Sequence, residues 1–213
     1  MTGDKLIFAY GSLVNPRARQ PGIRAVPAAL LGWVRQWMHC VDTVHGKVCA
    51  LTAVPDPKME IQGLVLSHDD GNFAELDERE AGYFRAKVSA RLLTPELGTE
   101  NIDCFVYVGD KVHRQPGSYE FPIWRSYLDC VLAGYLGLKG RQSGEDFITS
   151  TQGWGVPILD DRPRPRYPRA VVITSAQLHE IDDILGEYGL LRNLIPLSDT
   201  KLHSGPWAGR NKA

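Results

Sequence analysis

Two short stretches of this chain set chemically able groups beside points where the backbone must turn. The first is Tyr10-Gly11-Ser12-Leu13, directly after the apolar run Leu6–Ala9. A glycine at a strand end lets the chain turn sharply, so that successive N–H groups can converge on an anion or oxyanion. A plain tight turn would use the same residues. Ser12 as a nucleophile fits poorly, because the elbow of serine hydrolases needs glycine where Tyr10 stands. The second stretch is Leu76–Arg85, LDEREAGYFR. Its spacing predicts a helix over about 72–80, opened at Asp69-Asp70-Gly71 and ended by Gly82. Phe73, Leu76 and Glu80 then fall at i, i+3 and i+7, while Glu75, Glu78 and Arg79 point elsewhere. A core-facing carboxylate in a last helical turn is disfavoured as an anion by burial and by the helix dipole. Both effects raise its pKa toward the range useful to a general base. The structural alternative is a frayed helix end, with Glu80 paired to Arg79 or Arg85.

Three other groupings have less behind them. His39, Cys40, Asp42, His45 and Cys49 lie close together, but their spacing matches no standard zinc knuckle or finger, and no metal is expected. Asp160–Arg169, DDRPRPRYPR, reads as a solvated extended loop that could also guide an anionic substrate. Gly134, Gly137, Gly140 and Gly144 fit neither a Walker A nor a dinucleotide pattern.

The elements that must position these residues follow from periodicity. Strands are expected at Lys5–Tyr10 and Ile61–Leu66, where Gly63 suggests a close backbone approach. Apolar stretches at Trp33–Cys40 and Lys47–Ala53 precede a turn at Pro55-Asp56-Pro57. Arg85–Leu92 alternates strictly, with Phe84 continuing its apolar face, and Asp103–Val108 is its expected partner. A helix over 122–138 carries Trp124, Leu128, Val131 and Tyr135 on one face. A second begins near Thr174, whose spacing to Gln177 is that of a capping box. Arg141–Arg169 between them reads as an elaborate loop. This order favours an α+β domain with a mixed or antiparallel, barrel-like sheet.

Composition narrows the function classes. The 213 residues suit one domain, and 24 basic against 25 acidic residues give a net charge of −1, which argues against a nucleic-acid binder. The apolar run near the N-terminus spans only four residues, too short for a signal peptide, and nothing has the length of a membrane span. Four cysteines without a CxxC pair read as free thiols. The expectation is a cytoplasmic protein without membrane attachment.

FAYGSL followed by LDEREAGYFR resembles the gamma-glutamylcyclotransferase-like superfamily, which includes the AIG2-like and ChaC-like proteins. The resemblance runs through residues 6–138, and includes GWVRQW at 32–37 and SYLDCVLAGYLGL at 126–138. It implies a small mixed β-barrel with flanking helices, spanning 1–213 as a single domain with a core at about 5–138 and a C-terminal extension at 141–213. It implies that Tyr10, Gly11, Ser12 and Leu13 bind a gamma-glutamyl group and that Glu80 moves the proton. Tyr83 and Tyr127 would line the site. The implied reaction is attack of the substrate's α-amine on its own γ-carbonyl, giving 5-oxoproline and a released amine, amino acid or dipeptide, with no cofactor. The loop reads YGSL as in the ChaC branch, without the extended ChaC signature, so the substrate stays open among glutathione, other gamma-glutamyl peptides and gamma-glutamyl amines. A non-catalytic module that binds a small carboxylate is the competing expectation. A serine- or cysteine-dependent amidase lacks a recognisable triad.

Overall fold

The structure, a computed structural model, describes residues 6–68, 73–80, 82–93 and 101–197. The first apolar run forms β1 (Leu6–Ala9), and all of it is buried. β2 (Ile23–Thr43) and β3 (Gly46–His68) form one long antiparallel hairpin that turns at Val44-His45. Its register breaks between Leu31 and Trp33 and again between Trp37 and His39. At the first break Leu31 faces Glu60 while Trp33 faces Pro55, so residues 56–59 oppose nothing. The turn expected at Pro55-Asp56-Pro57 is therefore a bulge inside one strand. Proline has no N–H for the ladder, and a bulge is where a strand tolerates it.

β1 pairs antiparallel with β3 and parallel with β5 (Asn101–Gly109). β4 (Tyr83–Leu92) then joins β5 to β2, and the β2–β3 pairing closes a five-stranded mixed barrel. β4 alternates as its sequence implies: Ala90 and Leu92 are buried, while Phe84 at its start is half exposed. Gly63 stands where β3 crosses the end of β1. A Cβ there would lie 2.2 Å from the Ala9 carbonyl oxygen, so only glycine admits the pairing that aims β1 at the next loop.

The helix bearing Glu80 is shorter than expected: α1 spans Ala74–Arg79, and Glu80 is its C-cap. The proposed opening at Asp69-Asp70-Gly71 lies outside the described residues. α2 (Arg125–Lys139) is buried from Arg125 to Leu136, with Leu128, Val131 and Tyr135 among its core residues. Its full burial reflects covering layers that the sequence hid. The presumed loop 141–169 contains α3 (Arg141–Thr149), β7 (Thr151–Gln152), which extends the sheet beside β2, and β8 (Ile158–Asp160). α3 buries Phe147 and Ile148 only near its end and packs Gly144 against Leu136 and Ile184, so its apolar repeat is too sparse to read. α4 (Ser175–Glu187) opens with the capping box at Thr174 and Gln177. β6 (Ile123–Trp124), β8 and β9 (Leu194–Pro196) form a small parallel sheet.

The arginine-rich stretch is exposed at 163–165 and 168–169, as a solvated loop would be, but it is anchored by its acidic start. Asp161 is fully buried and accepts from the Ser126 N–H and hydroxyl and from the Arg166 N–H. Arg162 bonds both Asp129 and Asp182, which Arg125 also pairs. These ties lay residues 161–169 along α2. No helix among the described residues is long and apolar enough to cross a membrane.

Candidate active site

The barrel's first strand delivers the Tyr10–Leu13 loop to a cleft whose wall also includes Leu51, Glu80, Tyr83, Tyr107 and Tyr127. The cleft encloses about 370 Å³, including its mouth. Tyr10 is held by structure: its hydroxyl donates to the Tyr107 carbonyl at 2.7 Å and accepts from the Ala53 N–H at 3.1 Å. Its own carbonyl accepts from the Tyr135 hydroxyl at 2.9 Å, and Tyr135 in turn is bonded by the buried Arg35. Gly11 lets the Tyr127 hydroxyl come close, since a Cβ would meet it at 3.3 Å. Ser12–Val14 then form a 3₁₀ turn in which the Val14 N–H returns to the Gly11 carbonyl. The Ser12 and Leu13 N–H groups precede that first internal bond and have no partner within the turn. Asn15 anchors the loop's far end to the Cys130 carbonyl of α2 at 2.9 Å.

Glu80 faces this loop from α1. Phe73 and Leu76 are buried as the spacing implied, and the Glu80 side chain is 19% exposed. α1 is fixed by Asp77, which accepts from the Tyr107 hydroxyl at 2.6 Å and from Arg85. Arg85 is thus a partner of Asp77 rather than of Glu80. Arg79 does pair with Glu80, Nε to Oε1 at 3.1 Å. The competing forces can be ordered. Burial pushes the Glu80 carboxyl above the ordinary carboxylate range, and the Arg79 and Arg169 guanidiniums pull it only part of the way back.

Arg79 corrects the helical-wheel reading, which pointed it away from the site. Arg79 is the last residue of α1, and its long side chain carries the guanidinium round to the loop. Its guanidinium reaches the Ala18 carbonyl at 2.8 Å and Ser12 Oγ at 3.0 Å. Tyr167, from the arginine-rich stretch, donates its hydroxyl to the same Ser12 Oγ at 2.8 Å and packs 5.0 Å from the Tyr127 ring. The sequence offers Arg79 only as a partner of Glu80 at a frayed helix end, and it carries no signal for Tyr167, whose placement follows from the burial of Asp161. Ser12 therefore receives two hydrogen bonds and has no histidine among its described partners, which leaves the serine-amidase reading without a base.

Tyr83 and Tyr127 both line the cleft. The Tyr83 hydroxyl donates to the Leu51 carbonyl at 2.8 Å, and its ring stacks 4.0 Å from His39. Tyr127 packs edge-on against the buried Trp37 at 5.9 Å. The His39–Cys49 grouping is dispersed by strand alternation: His39 turns to Tyr83, while Cys40 faces Cys49 across the ladder. Among the described residues no three His, Cys, Asp or Glu side chains group to hold a metal. All four cysteines are buried free thiols, and burial pushes Cys104 and Cys130 up to about 12.

A small closed mixed barrel with a glycine loop facing a half-buried glutamate defines a class of proteins, and the comparisons agree on which. The family model "Gamma-glutamyl cyclotransferase, AIG2-like" matches residues 7–125. This chain belongs to that family. A solved structure named gamma-glutamyl cyclotransferase is similar to it, with a TM-score of 0.56 at 19% identity, covering 84% of this chain and 98% of that one. An uncharacterised protein from Homo sapiens gives 0.55 at 20%, covering 83% and 97%. At these identities the likeness to the solved structures is one of fold. No protein of curated function matches the sequence.

Proposed function

We propose that this protein is a gamma-glutamyl cyclotransferase with Glu80 as its general acid/base. The observation that carries the reading is the shielded Glu80 carboxylate, its pKa raised by burial, set in one cleft with the Gly11–Leu13 backbone. In the reaction the substrate's α-amine attacks its own γ-carbonyl. Attacker and target share one molecule, so orientation supplies much of the rate and no enzyme nucleophile is needed. The α-amine reacts in its neutral form, and Glu80 accepts the proton that its nitrogen sheds as the new C–N bond forms. The Ser12 and Leu13 N–H groups hold the substrate carboxylate or the developing oxyanion. The old amide C–N bond then breaks, Glu80 returns its proton to the departing nitrogen, and 5-oxoproline and an amine remain.

The phenols around the cleft support this division of labour. Tyr10, Tyr83, Tyr107 and Tyr127 are all pushed above the ordinary tyrosine range by burial, so they stay protonated at neutral pH and serve as walls and donors. The test is 5-oxoproline formation from glutathione, a gamma-glutamyl dipeptide and a gamma-glutamyl amine. Oxoproline from at least one of these is expected. Folded protein that binds gamma-glutamyl compounds and turns none over would favour a non-catalytic carboxylate-binding module instead.

A further inference from the structure

We propose that Cys40 and Cys49 form a peroxide-responsive dithiol, which closes to a reversible disulfide across the β2–β3 hairpin.

Register places the pair. Cys40 and Cys49 stand directly opposite each other in the antiparallel ladder. Neither gives its backbone N–H to the other: that of Cys40 donates to the His113 carbonyl and that of Cys49 to the Pro122 carbonyl, each at 2.9 Å. They are therefore a non-hydrogen-bonded pair, in which opposed residues approach closest, with Cα atoms about 4.5 Å apart. That separation lies within the range of about 4.4–6.8 Å that a disulfide spans. Both sulfurs also meet the same covering segment. Cys40 Sγ donates to the Gln115 carbonyl at 3.2 Å, and a Cβ on Gly117 would lie 2.9 Å from Cys49 Sγ. The two side chains thus leave the hairpin on one face, where a bridge needs no change of register. Cys104 instead faces Val88 across the β4–β5 ladder, and Cys130 lies within α2.

The surroundings give the two sulfurs different parts. The Cys49 thiol hydrogen-bonds to Cys40 and holds it below the ordinary thiol range, while Cys49 itself is pushed up. Cys40 is therefore the sulfur that reacts first. Both are buried, but their cover is thin: Gln115, Pro116 and Ser118 are all exposed. Hydrogen peroxide, hardly larger than water, suits such a site. The Cys40 sulfur takes one peroxide oxygen, the O–O bond breaks, and a sulfenic acid and one water result. The Cys49 sulfur then attacks the Cys40 sulfur, the S–O bond breaks, and the departing hydroxyl leaves with the Cys49 proton as a second water. The two thiols are oxidised by two electrons and the peroxide is reduced by two. A small thiol reverses the bridge by exchange. The bridge would clamp the hairpin beside the residues that hold Tyr83, since His39 packs on that ring and the Leu51 carbonyl accepts from its hydroxyl.

The experiment treats the folded, reduced protein with hydrogen peroxide, blocks remaining thiols and maps peptides by mass spectrometry. Lys47 lies between the two cysteines, so trypsin leaves them on separate peptides, 36–47 and 48–58. Peroxide should remove two of the four thiols and join these peptides, and dithiothreitol should part them again. In Cys49→Ser the sulfenic acid has no partner, so a dimedone-type probe should label Cys40 in that variant and not in wild type. Circular dichroism checks that each protein is folded. The wild-type map decides even if the variant does not fold. Peptides that stay unlinked, a link from Cys40 to Cys104 or Cys130, or Cys40 passing to the sulfinic acid while Cys49 stays a thiol would each overturn the proposal.

Discussion

Replacing Glu80 with glutamine tests chemistry and energetics together. Glutamine keeps the shape and the hydrogen-bonding reach but cannot take a proton. General acid–base catalysis by one group typically contributes about 10²–10⁴ in rate, or about 2.7–5.4 kcal/mol of barrier. The surroundings favour the upper part of that range. The carboxylate is 19% exposed, so bulk water substitutes poorly, and burial keeps all four neighbouring phenols protonated. The loss should fall on kcat, because the proton moves in the transition state. Stability should change the other way. A carboxyl whose folded pKa is raised contributes stability that is present below its unfolded pKa and lost as pH rises through the folded value. Ionised Glu80 is thus a burden at neutral pH that glutamine lacks. Glu80→Gln should melt above wild type at pH 7–8, with the difference shrinking toward pH 4. Oxoproline release under saturating substrate and thermal melts across pH make the two measurements. A variant retaining a tenth or more of wild-type kcat, or melting below wild type at neutral pH, would refute the reasoning.

Two further outcomes follow from the same geometry. The kcat profile of wild type should rise with pH through a Glu80 pKa above the ordinary carboxylate range; Arg79→Gln removes the larger of the two charges that lower it, so that acid limb should move to higher pH. An unmoved or lowered limb would show that Arg79 does not tune Glu80. Gly63→Ala drives a Cβ against the Ala9 carbonyl, which should remove about 2–3 kcal/mol and lower Tm by roughly 5–10 °C, with activity falling as β1 shifts the loop; an unchanged melt would refute the close approach.

Local order was legible where one physical rule governed it. The β4 alternation, the Thr174 capping box and the close approach at Gly63 are each set by neighbours in sequence or by the absence of a side chain. The inward placement of Glu80 could be read from Phe73 and Leu76, because three residues within two turns constrain a helix face even when that helix is short. The chain through the prolines at 55 and 57 was misread, since local propensity favours a turn there and only pairing with β2 carries the strand past it. α3 escaped notice because its burial comes from packing on α2 and α4 rather than from an apolar repeat.

The sequence by itself determined the loop, the glutamate and the family they resemble. The tertiary structure decided what surrounds them. Arg79 reaches the site from the last turn of α1 through the length of its side chain, and Tyr167 arrives from far along the chain because an ion cluster pins its segment to α2. Such placements depend on contacts between residues distant in sequence, whose energies no local pattern records. The reason is physical: a charge takes its partner and its pKa from the groups the fold brings around it.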